Sequence, residues 1–244
     1  MDGRLQNQVA IITGASAGIG QASARVLMRA GASVVLTARR KDRLEELVSE
    51  AKQLGVKAIS VPGDARDEDT AKRAVDQAKE SLGRIDILIA NAGVGNYKNL
   101  VDTSADEYDE MMDSNMRSTF LFARHVAPIM IEQRSGLVLM ISSMAGVYGF
   151  AGEAVYCATK FAQVGFAQGL DKELRPHGIK IGTINPGGVK TEFAIGLGRT
   201  EKGVAESQML EADDVAQAVL FACTQPPGSR VIQIQMRTMA ESLT

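Results

Sequence analysis

The sequence predicts an α/β fold: a doubly wound parallel sheet of about seven strands with helices on both faces. Three observations carry that expectation. Short apolar runs alternate along the chain with longer amphipathic stretches. The runs are apolar throughout rather than at every second residue, so both faces of the sheet must be covered. Gly31, Gly55 and Gly83 close the first three amphipathic stretches, as glycine commonly does where a helix stops.

In chain order, Gln8 to Thr13 (QVAIIT) reads as the first buried strand and Ile19 to Ala30 as a helix. Ser33 to Thr37 is the second strand. Lys41 to Leu54 is a helix with Leu44, Leu47, Val48 and Ala51 on one face. A strand over Val56 to Val61, a helix over Glu68 to Leu82 and a strand over Ile85 to Ala90 follow. Ser104 and Glu107 form a capping-box signal for a helix through Asp113. A further helix is expected over about Met116 to Gln133, then a strand over Leu137 to Ser142. A long helix covers Glu153 to Leu174 and halts near Pro176 and Gly178. Ile179 to Ile184 is a strand, Ala212 to Cys223 a helix, and Val231 to Gln235 the last strand. No linker or repeat divides the chain, so residues 1–244 read as one domain. The stretch Gly187 to Gln208 has no period. A long irregular stretch in a compact domain suits a lid, expected at about 187–210.

Composition narrows the function. The chain has 27 Lys and Arg against 29 Asp and Glu, a net charge of −2, which argues against a nucleic-acid partner. Hydrophobic residues make up 45%, enough for an ordinary core and too many for a disordered chain. No apolar run approaches the roughly 20 residues of a membrane span. Cys157 and Cys223 are too few for a disulfide framework or a zinc site, and free thiols suit a reducing compartment. The chain opens Met1-Asp2-Gly3-Arg4 and soon enters a strand, so no leader is expected and the cytoplasm is the expected location.

The first strand runs into Thr13-Gly14-Ala15-Ser16-Ala17-Gly18-Ile19-Gly20. Such a turn brings a phosphate close to the backbone, and the helix beginning there directs free N–H groups and its positive dipole end at a pyrophosphate. A strand–glycine turn–helix order therefore points to dinucleotide binding in a Rossmann-type domain. The second strand ends Thr37-Ala38-Arg39-Arg40, with no acidic residue to hold a ribose 2′-hydroxyl. Two guanidinium groups there favour the 2′-phosphate of NADP(H) instead. Past the fifth strand come Ser142 and Ser143, and Tyr156 and Lys160 follow on one helical face. A neighbouring ammonium lowers the pKa of a phenol, which can then exchange a proton with a substrate oxygen while hydride moves. Ser143 can hydrogen-bond the same oxygen.

With these motifs together the chain resembles the short-chain dehydrogenases/reductases, in their compact single-domain branch. The resemblance spans Val9 to Met236: T-G-x-x-x-G-I-G at Thr13 to Gly20, N-A-G at Asn91 to Gly93, S-S-x-A-G at Ser142 to Gly146, Y-x-x-x-K at Tyr156 to Lys160, and a variant P-G-x-V-x-T at Pro186 to Thr191. It implies that Tyr156 is the general acid/base, that Lys160 lowers its pKa and holds the nicotinamide ribose, that Ser143 polarises the carbonyl, and that Asn115 supports a proton relay. It further implies a cofactor site made by Gly14, Ser16, Ala17, Gly18, Ile19, Gly20, Arg39, Arg40, Asp64, Ala65, Asn91, Ala92, Gly93, Tyr156, Lys160, Pro186, Gly187, Val189 and Thr191. Asp64 would meet the adenine, and Arg39 stands one place after the acidic site of NAD-dependent members, here Ala38. Ala17 replaces a basic residue found in some NADP-preferring members.

What the resemblance implies overall is an NADP(H)-dependent carbonyl/alcohol oxidoreductase acting on a small molecule. Arg230 to Met236 and the residues after it look like the ending of NADP-dependent 3-hydroxy-acid or serine dehydrogenases, which suggests a small hydroxy or keto acid. The alternatives are a β-ketoacyl thioester reductase and a non-catalytic NADP-binding sensor. A homotetramer or homodimer through the helices around Met111 to Gln133 and Glu153 to Leu174 is also implied. Tyr148, Phe150 and Phe193 are candidate substrate contacts by position, and Phe193, Ile195, Leu197 and Met209 would make the apolar face of a lid. No metal site is expected.

Overall fold

The computed structural model describes residues 3–240; Met1, Asp2 and residues 241–244, the ends of the expected domain, lie outside the described residues. Its strands are β1 (Val9–Thr13), β2 (Ser33–Ala38), β3 (Ala58–Pro62), β4 (Ile87–Ala90), β5 (Gly136–Ile141), β6 (Ile179–Pro186), β7 (Val189–Lys190), β8 (Leu210–Glu211) and β9 (Gln233–Met236). Its α-helices are α1 (Gly18–Arg29), α2 (Lys41–Gln53), α3 (Glu68–Leu82), α4 (Ala105–Met112), α5 (Ser118–Gln133), α6 (Ala154–Leu174), α7 (Glu201–Glu206) and α8 (Ala212–Cys223).

Seven strands form one parallel sheet in the order β3-β2-β1-β4-β5-β6-β9. Ile11 is level with Val35 on one side and Leu88 on the other. Alternate residues of one strand feed different cores. Ala10 and Ile12 pack with α1, α2 and α8, through Leu27, Leu44, Leu47, Val215 and Val219. Val9 and Ile11 pack on the opposite face with α3, α5 and α6, through Ala74, Val75, Phe122, Val126 and Ala167. That two-sided burial is why the central strands β1, β4 and β5 are almost wholly apolar, each fully buried Leu or Ile contributing about 1.5–3 kcal/mol, whereas the edge strand β9 alternates exposed Gln233 and Gln235 with half-buried Ile234 and Met236. The chain reverses its winding between β1 and β4, and in such sheets a crevice opens there beyond the strand C-termini.

The expected elements are present, with shifts of one or two residues at several ends. The Ser104 capping box forms: Glu107 N–H donates to Ser104 Oγ at 3.2 Å, and Ser104 N–H donates to Glu107 Oε2 at 2.9 Å. Two features differ from expectation. The break between the helices ending near Asp113 and starting near Met116 is a π-turn, Asp113–Arg117, that carries α4 straight into α5. The irregular stretch also contains structure: β7 pairs with β8 across it, and α7 lies between them. Elements of two and six residues are too short to show a period. Among the described residues no helix is long and apolar enough to cross a membrane, and no cluster suits a metal ion.

Candidate active site

The turn after β1 is tied across the crevice to the loop after β4. Asn91 N–H and Ala92 N–H donate to Thr13 Oγ1 at 2.9 and 2.8 Å, and Asn91 Nδ2 donates to the Thr13 carbonyl at 2.9 Å. Helix α1 sits so close to this turn that a Cβ on Gly20 would lie 2.3 Å from the Gly14 carbonyl oxygen. No side chain caps α1, and its first turn carries no acidic residue, so its opening N–H groups are not claimed by a carboxylate.

A cavity of about 1200 Å³ begins at this turn and runs to Tyr156. Gly14, Ser16, Ala17, Gly18, Ile19, Arg39, Arg40, Asp64, Ala65, Asn91, Ala92, Gly93, Pro186, Gly187, Val189 and Thr191 line it, together with Ser143, Tyr156 and Lys160. Gly20 packs behind the turn, and Asn115 is wholly buried behind Gly93, whose Cβ would lie 2.6 Å from Asn115 Oδ1. Tyr148, Phe150 and Phe193 line the same cavity, the first two exposed at its rim.

At the β2 end, Arg40 Nη1 donates to Glu192 Oε2 at 2.7 Å and Arg40 Nε to Ser16 Oγ at 3.3 Å. Arg43 reaches the other Glu192 oxygen at 3.5 Å. Asp64 is held by Arg66, whose Nη2 donates to Oδ2 at 2.8 Å. That hydrogen bond keeps the Asp64 carboxyl below its ordinary range.

At the other end Tyr156 is buried between two rings. Tyr97 meets it edge-on at 5.7 Å between centroids, and Phe193 lies tilted at 5.8 Å. Burial drives the Tyr156 phenol well above its ordinary value, Tyr97 adds to the rise, and contact with Ser143 draws it partly back. Ser143 Oγ accepts from Ala145 N–H at 3.1 Å and donates to the Pro186 carbonyl at 3.4 Å. Lys160, one helical turn on, places Nζ 5.7 Å from the Tyr156 ring centroid. Its pKa falls to about 7 through desolvation.

The lysine is held by residues that sequence reasoning did not single out. Lys160 Nζ donates to the Ile141 carbonyl at 3.1 Å and to Gln163 Oε1 at 3.0 Å. Gln163 Nε2 in turn donates to the Asn115 carbonyl at 3.0 Å and Thr119 Oγ1 at 2.8 Å. The wide π-turn alters the helical bonding around Asn115, and Thr119 Oγ1 also donates to that carbonyl, at 2.8 Å. The Asn115 side chain accepts from Val94 N–H at 2.7 Å and donates to Thr159 Oγ1 at 2.8 Å. Tyr97, Glu153 and Arg199 also face the cavity and were not foreseen.

The sequence pattern of the short chain dehydrogenases matches residues 8–202. An uncharacterized oxidoreductase of Staphylococcus aureus strain MRSA252 is 36% identical over 233 residues, covering 96% of this chain and 98% of its own. Among solved structures, the alcohol dehydrogenase of the archaeon Thermococcus sibiricus complexed with 5-hydroxy-NADP superposes with a TM-score of 0.89 at 29% identity, over 97% of this chain and 99% of that one. The closed form of serine dehydrogenase complexed with NADP+ gives 0.90 at 29% identity, over 96% of each chain. Sheet order, cavity and sequence agree, and the chain belongs to the short chain dehydrogenase family of oxidoreductases.

Proposed function

We propose that the protein is an NADP(H)-dependent oxidoreductase that interconverts a carbonyl and a secondary alcohol on a small molecule, with Tyr156 as general acid/base. One observation carries this: a single cavity joins the Arg39–Arg40 end of β2 to Ser143, Tyr156 and Lys160. The residues present fit the cofactor. Ala38 puts no carboxylate where a 2′-phosphate needs a cation, Arg39 and Arg40 offer guanidinium groups, and the opening of α1 offers unclaimed N–H groups to a pyrophosphate. The NADP-bound neighbours support the same choice.

When bound, the reduced cofactor supplies the hydride. The chain supplies the rest. Ser143 Oγ donates to the carbonyl oxygen and aligns it. Tyr156 Oη delivers the proton to that oxygen. Lys160 Nζ stabilises the resulting phenolate and brings the Tyr156 pKa down from the high value that burial imposes. Gln163 and Asn115 keep the lysine in place. Residues 187–210 act as the lid, with Phe193 against Tyr156 and Thr191 over the glycine turn.

NADPH oxidation against aldehydes, ketones, 3-oxo acids and β-ketoacyl thioesters, with NADH in parallel, tests this. Turnover favouring NADPH is the expected result. Tyr156→Phe should cut turnover by about two to four orders of magnitude while NADPH still binds. Turnover at the parental rate in that variant would overturn the assignment.

A further inference from the structure

The segment between β7 and α7 folds back sharply. Ala194, Gly196 and Gly198 all take positive φ, of 61°, 79° and 112°. The Arg199 N–H donates to the Ala194 carbonyl at 3.0 Å, and the Gly196 N–H donates to the Arg199 carbonyl at 2.9 Å. The Tyr97 N–H donates to the Leu197 carbonyl at 2.9 Å and pins the turn beside the cavity. Gly198 is pressed against Tyr97: a Cβ there would lie 2.5 Å from the Tyr97 Cβ. The turn thus has one outcome, which is to deliver Arg199 into the cavity next to Tyr156.

Arg199 arrives as a half-buried guanidinium stacked on two rings. Its Cζ lies 5.4 Å from the Tyr97 centroid and 5.8 Å from the Phe193 centroid, and both rings flank Tyr156. Stacking occupies the face of a guanidinium and leaves its N–H edge for in-plane acceptors. The edge here has one weak backbone acceptor, the Val189 carbonyl at 3.4 Å, and a polar contact with Tyr97. Among the described residues no carboxylate lies within ion-pair distance of it, whereas Arg25, Arg40, Arg66, Arg73, Arg84 and Arg124 each have at least one. The nearby carboxylate on the cavity wall is Glu153, half-buried, with its pKa raised by burial and drawn down by Arg199. Arg237, stacked on Tyr148 at 5.5 Å, also lines the cavity.

We infer that Arg199 is the anchor for a substrate carboxylate, so that the protein acts on short oxo and hydroxy acids whose carbonyl reaches Tyr156 while their carboxylate lies on the guanidinium edge. This rests on the carbonyl–alcohol reaction proposed above. Two parallel N–H bonds to one carboxylate fix the distance and direction of the carbonyl, as a neutral ester cannot.

Matched pairs of substrates test it: acetoacetate against methyl acetoacetate, and 2-oxobutanoate against its methyl ester. The parent, Arg199→Gln and Arg199→Lys are compared, and the NADPH Kd of each is measured by nicotinamide fluorescence. The parent is expected to prefer the acids. In Arg199→Gln the acid-to-ester ratio of kcat/KM should fall about 10- to 100-fold, chiefly through KM of the acid. Arg199→Lys should recover part of that ratio. Any general effect of Arg199 on Tyr156 or on lid packing strikes acid and ester alike and cancels in the ratio. A parent with no preference for the acids, or an unchanged ratio in Arg199→Gln, overturns the anchor while leaving the reaction in place. Failure of all four compounds while an aldehyde or ketone of the wider panel turns over also overturns the anchor; failure of the whole panel with NADPH bound overturns the carbonyl–alcohol reaction, and the anchor with it.

Discussion

Lys160 Nζ donates to Gln163 Oε1 at 3.0 Å inside the protein, and the same Gln163 amide donates to the Asn115 carbonyl on another helix. With both Nε2 protons engaged, the amide has one orientation, and its oxygen faces the lysine. In the proposed mechanism Gln163 is therefore a positioning residue for Lys160. Gln163→Leu removes one of the two acceptors of Lys160, and a hydrogen bond to a charged group is worth about 1.5–3 kcal/mol. The expected result is a fall in kcat of about 10- to 100-fold with a smaller change in KM. Gln163→Glu should instead hold the ammonium more firmly and move the alkaline limb of the kcat profile for reduction to higher pH. A parental profile in both variants would argue for a packing role alone.

Lys160 also makes folding stability depend on pH. Its pKa is lowered from 10.5 to about 7 by desolvation. Between those values the unfolded chain carries a proton that the folded chain has released, so stability rises with pH across that window. Tyr156 and Tyr97 act oppositely above pH 10, because burial raises both phenols and the folded state keeps their protons longer. Denaturant melts of the cofactor-free protein should therefore show stability climbing from about pH 7 toward pH 10. Lys160→Met, which has no proton to lose, should flatten that climb.

In the proposed cofactor site, Glu192 and an incoming 2′-phosphate would compete for Arg40. The carboxylate holds Arg40 at 2.7 Å and Arg43 at 3.5 Å. Glu192→Gln should tighten NADPH by about 3- to 10-fold at low ionic strength and less at high salt, with little change for NADH. Arg40→Ala should weaken NADPH more than NADH. Titration of nicotinamide fluorescence measures both.

Gly20 tests the packing of α1 on the glycine turn. Alanine there puts a Cβ 2.3 Å from the Gly14 carbonyl oxygen. Gly20→Ala should cost about 1–3 kcal/mol of stability, since an overpacked core must shift. It should also weaken NADPH, because the backbone that moves is the one proposed to face the pyrophosphate. Tm and NADPH affinity are read on the same preparation.

Much of this molecule is written in short windows. The glycine turn, the Ser104–Glu107 box and the Tyr156–Lys160 pair each fit within one or two helical turns, so local rules found them. The central strands were legible because two covered faces leave few polar positions. Gln163 lies in the same helix as Lys160, yet its meaning depends on partners 44 and 48 residues away. Those partners are in place because of the π-turn at Asn115, which has no sequence signature. Arg199 sat in a stretch without a period, and only the three-dimensional path of its turn brings it to Tyr156. The pairing of Glu192 with Arg40 spans 152 residues and follows from no motif.

The strand order has a consequence for the protein during its synthesis. β1 lies between β2 and β4, but Ile87 follows Thr13 by 74 residues. At ribosomal rates of ~5–20 residues per second, β1 waits roughly 4–15 s for its second neighbour. Throughout that interval Val9 to Thr13 presents an uncharged edge rich in β-branched residues, the kind that recruits other strands. Thr13 likewise lacks Asn91 and Ala92, so the nucleotide end of the cavity is closed only when the chain has passed its first third. For those seconds the edge that β4 will take is open to a second nascent chain.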